Sequence, residues 1–179
     1  KRVEELGVEI RLNYKVTDVP AAKASGGFDA VFIAIGAHIG KKTSIPARDA
    51  GKILDAVSFL KEVELGNVPR IGRRVAIYGG GNTAMDAART AKRLGAEEAL
   101  IIYRRDRDHM PAHDFEADEA LTEGVKIHWL RTIKNIDSTS MTVEKMNIVD
   151  GKPVPTGEFE TLEADSLILA LGQDAETDF

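Results

Sequence analysis

The chain has 179 residues, of which 43% are hydrophobic and 30% charged, and its formal net charge is −5. This composition is typical of a globular protein with one sizeable core, and the acidic balance argues against general nucleic-acid binding. Because the chain has no cysteine, it can form no disulfide and hold no iron–sulfur cluster through thiolates. No apolar run approaches the ~18 residues of a membrane span, so we expect a cytoplasmic protein without a membrane segment.

The N-terminal third predicts short elements separated by loops. The opening "KRVEELG" is typical of the last turns of a helix, residues 8–12 predict a short strand, and the long apolar run 28–37 predicts a strand buried on both faces. Apolar residues at helical spacing predict a helix over residues 55–64, with Asp55 as its N-cap and Gly66 just past its end. Residues 67–72 have the composition of a linker, and we place a domain boundary after residue 66.

A strand–helix–strand unit follows this boundary. The pattern predicts a strand over 75–78, a glycine turn, a helix over about 83–94 that Gly95 ends, and a second strand over 99–103. Small residues repeat along one face of the helix, which would let it lie close to a sheet: Ala84, Ala87, Ala88, Ala91 and Leu94.

The remaining residues complete an α/β pattern. A helix is expected after Pro111, closed by Gly124, and strands are expected over 125–130 and 164–172. The predicted inward face of the helix after Pro111 consists of Phe115, Ala117, Ala120 and Leu121. Residues 133–162 predict an antiparallel meander with turns at "VDGK" and "PTGE". We therefore expect a Rossmann-like domain with a parallel sheet, helices on its faces and a β-meander, layered as ββα.

The turn Gly79-Gly80-Gly81-Asn82-Thr83-Ala84 matches the pattern GxGxxA between a predicted strand and a predicted helix. Gly79 allows a tight turn, Gly81 lets the backbone approach a pyrophosphate, and Ala84 permits close helix packing. The N–H groups at the helix N-terminus would then face the phosphates. The alternative is a tight turn without a ligand. Asp86, three residues after Thr83, is predicted to be a capping-box acid and not a catalytic residue.

Three arginines follow the second strand. In NAD-binding units an acidic residue at the end of this strand accepts hydrogen bonds from the adenosine ribose. About 25 residues after Gly79 this chain instead has Tyr103, Arg104 and Arg105, with no acid before Asp106. Because a guanidinium binds a 2′-phosphate that a carboxylate would repel, this position favours NADP(H). The alternative is a solvated charge run.

The remaining candidate residues predict no metal site and no catalytic side chain. His109 and His113 lack an ordered third ligand, and His128 is expected at the surface or in an interface. Hydride transfer depends on placement and electrostatics more than on an acid–base pair, so we assign no catalytic residue.

The segment "GGGNTAMDAARTAKRLGA", followed by "YRRDRDHMPA", resembles the NADPH-binding domain of the glutamate synthase small (beta) subunit family, and the resemblance covers nearly the whole chain. It implies an FAD- and NADPH-dependent pyridine nucleotide oxidoreductase with two dinucleotide-binding domains. Hydride would pass from NADPH to FAD and electrons onward to iron–sulfur centres. The implied partner is a larger catalytic subunit or a fused iron–sulfur domain, and a homodimer is left open.

The resemblance also implies which residues bind the cofactor. Gly79 to Ala84, Gly80 included, would hold the pyrophosphate, Arg104 and Arg105 the 2′-phosphate, and Arg107 would be a third contact. Gly172 and Gln173 would lie near the junction with the flavin domain. Residues 1–66 would be a remnant of the FAD-binding domain with its linker, and residues 67–179 the NADP(H)-binding domain.

The same resemblance leads us to expect that the chain is a piece of a longer protein. By itself the chain would bind FAD weakly or not at all and would be inactive. A second hypothesis is a docking module whose nucleotide site is vestigial, with an exposed apolar face as its interface. A short-chain dehydrogenase is disfavoured, because no Tyr-x-x-x-Lys constellation follows the second strand.

Overall fold

The computed structural model describes residues 2–36, 39–40 and 53–174. The chain divides into two compact units, one within Lys1–Ala37 and one within His38–Asp174. The predicted boundary after residue 66 falls inside the second unit; the assignment of residues 1–66 to a remnant FAD domain stays a prediction. Within the described residues, no helix is long and apolar enough to cross a membrane.

The described residues form five helices and ten strands. The helices are α1 (Arg2–Glu5), α2 (Val19–Gly26), α3 (Ala56–Glu64), α4 (Asn82–Arg93) and α5 (Asp114–Thr122). The strands are β1 (Ile39–Gly40), β2 (Ile53–Asp55), β3 (Arg74–Tyr78), β4 (Glu98–Tyr103), β5 (Lys126–Trp129), β6 (Arg131–Ile136), β7 (Ser140–Val149), β8 (Lys152–Glu163), β9 (Ser166–Leu169) and β10 (Gln173–Asp174).

The second unit has the predicted three-layer ββα arrangement. Its central sheet is parallel, with the strand order β2-β9-β3-β4-β5. One face packs on α3, α4 and α5 around a core that includes Ile77 and Ile101. The other face packs on the antiparallel sheet β6-β7-β8 through residues such as Ile102 and Met141. The predicted Rossmann-like α/β fold is confirmed.

Helix α4 lies against the sheet through alanine side chains, as its sequence predicts. Ala84, Ala87, Ala88 and Ala91 are fully buried in the core on the helical side of the sheet. Gly95, with φ of +99°, follows the end of the helix. Small side chains therefore set the close approach of the helix to the strands that carry the glycine turn.

Enlarging this face should destabilise the fold. Ala88→Leu is expected to lower the free energy of unfolding by about 1–3 kcal/mol, because a fully packed interior cannot accept three more carbons without shifting its neighbours. Urea denaturation followed by circular dichroism measures this change. Asp86→Leu, an exposed position on the same helix, is the control and should change stability by less than about 0.5 kcal/mol. Equal losses in both variants would contradict the assigned packing.

The predicted meander is confirmed, and one of its two predicted turns is wrong. "VDGK" forms the β7–β8 hairpin turn, in which Asp150 (φ +50°) and Gly151 (φ +71°) both adopt left-handed conformations. "PTGE" instead lies inside β8, where the pairing register shifts opposite Glu144 and Met146. Gly157, with φ of +81°, accommodates this irregularity.

The inward face of α5 is only half as predicted. Ala117 and Ala120 are buried, but Phe115 is 61% exposed and Leu121 38%. The helical period explains Phe115, since two residues before Ala117 is nearly the opposite side of the helix. Its ring stacks on His113 at a centroid distance of 5.6 Å.

The first unit departs most from the sequence prediction. The strands expected over residues 8–12 and 28–37 are absent from the part of the first unit that is described, which ends at residue 36; Phe32 is 91% exposed. A strand buried on both faces requires hydrogen-bonding neighbours, and the described residues of this unit contain none. Helix α2 was not predicted, although Asp18 caps it by accepting the N–H of Ala21 at 2.9 Å.

Candidate dinucleotide-binding site

A cleft of about 610 Å³ lies where β2, β9, β3 and β4 end. In a parallel sheet all carboxyl ends meet at one edge, which is where α/β proteins bind ligands. Seven of the predicted site residues line it: Gly79, Gly80, Gly81, Thr83, Arg104, Arg105 and Gly172. The cleft therefore brings the glycine turn and two of the three arginines together.

Gly79 and Gly80 are required by the protein's own packing. Gly79 has φ of +151°, and a Cβ there would lie 2.1 Å from the carbonyl oxygen of Ala170. A Cβ at Gly80 would lie 2.4 Å from the ring of Tyr103. The tight turn predicted at Gly79 is confirmed, and its backbone N–H donates to the carbonyl of Ile102.

Gly81 has a different environment. A Cβ at this position would meet no atom within 4 Å, and φ of −93° is open to any residue. Packing therefore does not explain this glycine, whereas close approach of a ligand to the backbone would. Gly81 is also the N-cap of α4, without a side-chain cap bond. The capping box expected from Thr83 and Asp86 is consequently wrong, because Thr83 lies within the first turn.

The N-terminus of α4 presents unpaired donors to the cleft. The carbonyl of Gly81 accepts the N–H groups of Ala84 at 2.8 Å and Met85 at 3.3 Å. The N–H groups of Gly81, Asn82 and Thr83 have no acceptor among the described residues. Unpaired N–H groups and the positive end of the helix dipole favour an anion here. The open space at Gly81 and these donors fit a pyrophosphate.

Residues 103–113, which include the three arginines, are hydrogen-bonded to the glycine turn. Ala112 donates its N–H to the carbonyl of Gly80 at 3.0 Å, and His113 donates its N–H to Oδ1 of Asn82 at 3.1 Å. The hydroxyl of Tyr103 donates to the carbonyl of His109 at 2.8 Å, and burial raises the pKa of this phenol. The side-chain oxygen of Asn82 is therefore engaged within the protein, whereas its backbone N–H is not.

The three arginines differ in what their guanidinium groups contact. Arg104 is exposed, lines the cleft and has no ion-pair or hydrogen-bond partner among the described residues. Arg105 also lines the cleft and donates from Nη2 to the carbonyl of Gly151 at 3.3 Å, while its Nε is buried without a partner. Arg107 instead forms an ion pair with Asp118 at 2.6 Å and does not line this cleft. Arg104 is thus the cleft-lining arginine whose guanidinium has no partner among the described residues.

The opposite side of the cleft contains residues that bear on the remaining predictions. Leu169 at the end of β9 and the three residues that follow it line this side, and Gly172 has φ of +99°. Gln173 lies in β10, which pairs antiparallel with β1, and nothing further is described of its side chain. Asp55 was predicted only as an N-cap. It does cap α3 and also lines the cleft, since a helix that follows a parallel strand begins at the same sheet edge.

The histidines do not form a metal centre in the described part of the chain, where no group of three or more potential ligands is present. Nδ1 of His109 lies 2.6 Å from Oδ1 of Asp106, and this bond lowers the pKa of the Asp106 carboxyl. His128 is partly buried, and burial lowers its pKa. The His109 contact is local, and the environment of His128 reflects its partial burial.

Comparison with known proteins agrees with this fold. The family model described as pyridine nucleotide-disulphide oxidoreductase matches residues 1–179. The NADP(+)-dependent formate dehydrogenase subunit beta of Moorella thermoacetica is 38% identical over 99% of the chain and 27% of its own length. The NADPH-Fe(3+) oxidoreductase subunit beta of Geobacter sulfurreducens is 35% identical over 99% of the chain and 29% of its length.

A putative glutamate synthase [NADPH] small chain of Cereibacter sphaeroides is 33% identical over 98% of the chain and 48% of its length. The chain therefore spans less than half of these relatives. Among solved structures, FprA from Mycobacterium tuberculosis has a TM-score of 0.65 at 20% identity, over 85% of this chain and 52% of that protein. The resemblance to the glutamate synthase small subunit family is confirmed by these relatives.

Proposed function

We propose, since the chain belongs to the pyridine nucleotide-disulphide oxidoreductase family, that the chain is the NADPH-binding portion of a flavin-dependent oxidoreductase. The cleft at the carboxyl ends of the parallel strands is the cofactor site. The backbone of Gly81, Asn82 and Thr83 holds the pyrophosphate, and Arg104 with Arg105 holds the 2′-phosphate.

One observation carries this proposal. The backbone N–H groups of Gly81 and Thr83 and the guanidinium of Arg104 have no partner among the described residues, and all three residues line one cleft. Each donor would bind an anion, and NADPH carries two anionic groups, a pyrophosphate and a 2′-phosphate, that would occupy both. A docking surface without a nucleotide gives no reason for this pairing.

The activity of the whole protein extends the proposal beyond the cleft. In the intact protein NADPH delivers hydride to FAD, and electrons pass on to iron–sulfur centres in a larger subunit or a fused domain. The names of the relatives support a role within a multisubunit NADPH-dependent enzyme, since two of them are beta subunits and one is a small chain. The weak FAD binding and inactivity of this chain by itself stay predictions.

Calorimetric titration of the 179-residue chain with NADPH and NADH tests the proposal. We expect NADPH to bind at least tenfold more tightly, because only NADPH has the phosphate that pairs with Arg104. Thermal unfolding of the same preparation confirms that the chain is folded. Equal affinities, or no binding of either nucleotide to the folded chain, would contradict the proposed function.

A docking module remains the second candidate because of the apolar stretch 28–36. Phe28, Val31, Phe32, Ile33 and Ile35 are all more than 40% exposed. Sedimentation of the chain with and without saturating NADPH separates the two candidates. A docking module would associate without responding to nucleotide, and Phe32→Asp would abolish that association.

A further inference from the structure

The cleft has a cationic and an anionic side. Arg104 follows β4 and Asp55 ends β2, and both residues line the cleft. In the order β2-β9-β3-β4, three strand spacings separate them, which is about 14 Å. This separation is comparable to the length of an extended dinucleotide. A dinucleotide with its 2′-phosphate at Arg104 and its pyrophosphate at the end of β3 therefore directs its nicotinamide half toward Asp55.

The carboxylate of Asp55 is only partly used by the protein. Its Oδ1 accepts the backbone N–H of Ser58 at 2.9 Å and the hydroxyl of Ser58 at 3.1 Å. Its Oδ2 has no hydrogen bond and forms no ion pair with any described residue. The side chain is partly exposed. Among the described residues, this carboxylate therefore has no cationic side-chain partner, and the positive end of the α3 dipole offsets its charge in part.

The two redox states of the cofactor differ in charge at the nicotinamide. The reduced ring is neutral, whereas loss of hydride leaves the ring with one positive charge. A carboxylate near the ring stabilises the cation and interacts weakly with the neutral form. The charge of Asp55 would thus act on the difference between the two forms and not on binding in general.

We propose that Asp55 is the residue of this cleft that senses the redox state of the nicotinamide, raising the affinity for NADP⁺ relative to NADPH. The proposal rests on the proposed function and names a residue for the second half of the same site. Asp55 acts through its charge and transfers no proton. Its effect favours the product of hydride donation, and so favours passing hydride onward.

The variant Asp55→Asn removes the charge and retains an N-cap. Asparagine caps a helix as well as aspartate does, and its Oδ1 can still accept the N–H of Ser58. The matched control is Asp18→Asn, which removes one charge from the N-cap of α2, a residue outside the cleft. Calorimetry with NADP⁺, NADPH and 2′,5′-ADP, which lacks the nicotinamide half, gives three affinities for each variant.

We expect Asp55→Asn to weaken NADP⁺ binding about fivefold relative to NADPH, the size expected for a solvent-accessible charge pair. The affinity for 2′,5′-ADP should stay within about twofold, and Asp18→Asn should leave all three affinities unchanged. An NADP⁺-to-NADPH ratio unchanged by Asp55→Asn overturns this inference and leaves the proposed function standing. Failure of the unchanged, folded chain to bind 2′,5′-ADP overturns both.

Discussion

Gly79→Ala is expected to lower the free energy of unfolding by about 3 kcal/mol or more, because its methyl group would lie 2.1 Å from the carbonyl oxygen of Ala170. That carbonyl cannot move away easily, because the backbone of Ala170 is held in place by the hydrogen bond from its N–H to the carbonyl of Tyr78 at 2.9 Å. The positive φ of Gly79 adds backbone strain to the clash. Urea denaturation followed by circular dichroism measures the loss.

Gly81→Ala makes the same chemical change two residues along the chain and separates stability from binding. Its methyl group would meet no atom of the described residues within 4 Å, so we expect a loss of stability below about 1 kcal/mol. The methyl would occupy space beside the unpaired N–H groups, and NADPH affinity should fall about tenfold. Equal destabilisation by the two variants would contradict the different roles assigned to the two glycines.

Arg104→Ala is expected to weaken NADPH binding by about 1.5–3 kcal/mol, because a charged hydrogen-bonding partner of the 2′-phosphate is lost. NADH has no such phosphate, and its affinity should stay within about twofold. Arg105→Ala should cost less than Arg104→Ala, since the Arg105 guanidinium already donates to Gly151. The double variant should lose more than either single variant. Calorimetry with both nucleotides measures all of these affinities.

Arg107→Ala is the matched control and also tests the third contact predicted from the family. The Arg107 guanidinium is paired with Asp118 outside the cleft, so its removal should leave the preference for NADPH over NADH unchanged. A loss as large as that of Arg104→Ala would show that Arg107 reaches the nucleotide. An unchanged preference in the Arg104→Ala variant would contradict the proposed pairing of Arg104 with the 2′-phosphate.

The strand–helix–strand unit was predictable because local signals and tertiary packing agree there. An apolar strand, a glycine turn and an alanine face each specify the same arrangement, and the cleft follows from the parallel topology. Residues 28–36 carry an equally apolar run, yet a strand depends on neighbours that the run does not encode. Charge alone could not distinguish Arg104 from Arg107, because the pairing of Arg107 with Asp118 is a tertiary contact.

The other wrong sequence predictions have local causes. "PTGE" has the composition of a turn, but a glycine at positive φ also accommodates an irregularity within a long strand. Thr83 and Asp86 have capping-box spacing, but the N-cap of the helix is Gly81, two residues before Thr83. The sequence predicts Asp55 as an N-cap. It does not predict that Asp55 lines the cleft, because that follows from the pairing of β2 with β9.

In the proposed function, the N-terminus of α4 and Arg104 together bind one molecule of NADPH. The most direct measurement is an NMR titration of the 179-residue chain with NADPH that follows the backbone amide signals and the Nε–H signals of the arginine side chains. We predict saturable shifts, with one common affinity, for the backbone signals of Gly81, Asn82 and Thr83 and for Nε of Arg104. Saturable binding that leaves these signals unmoved would contradict the account.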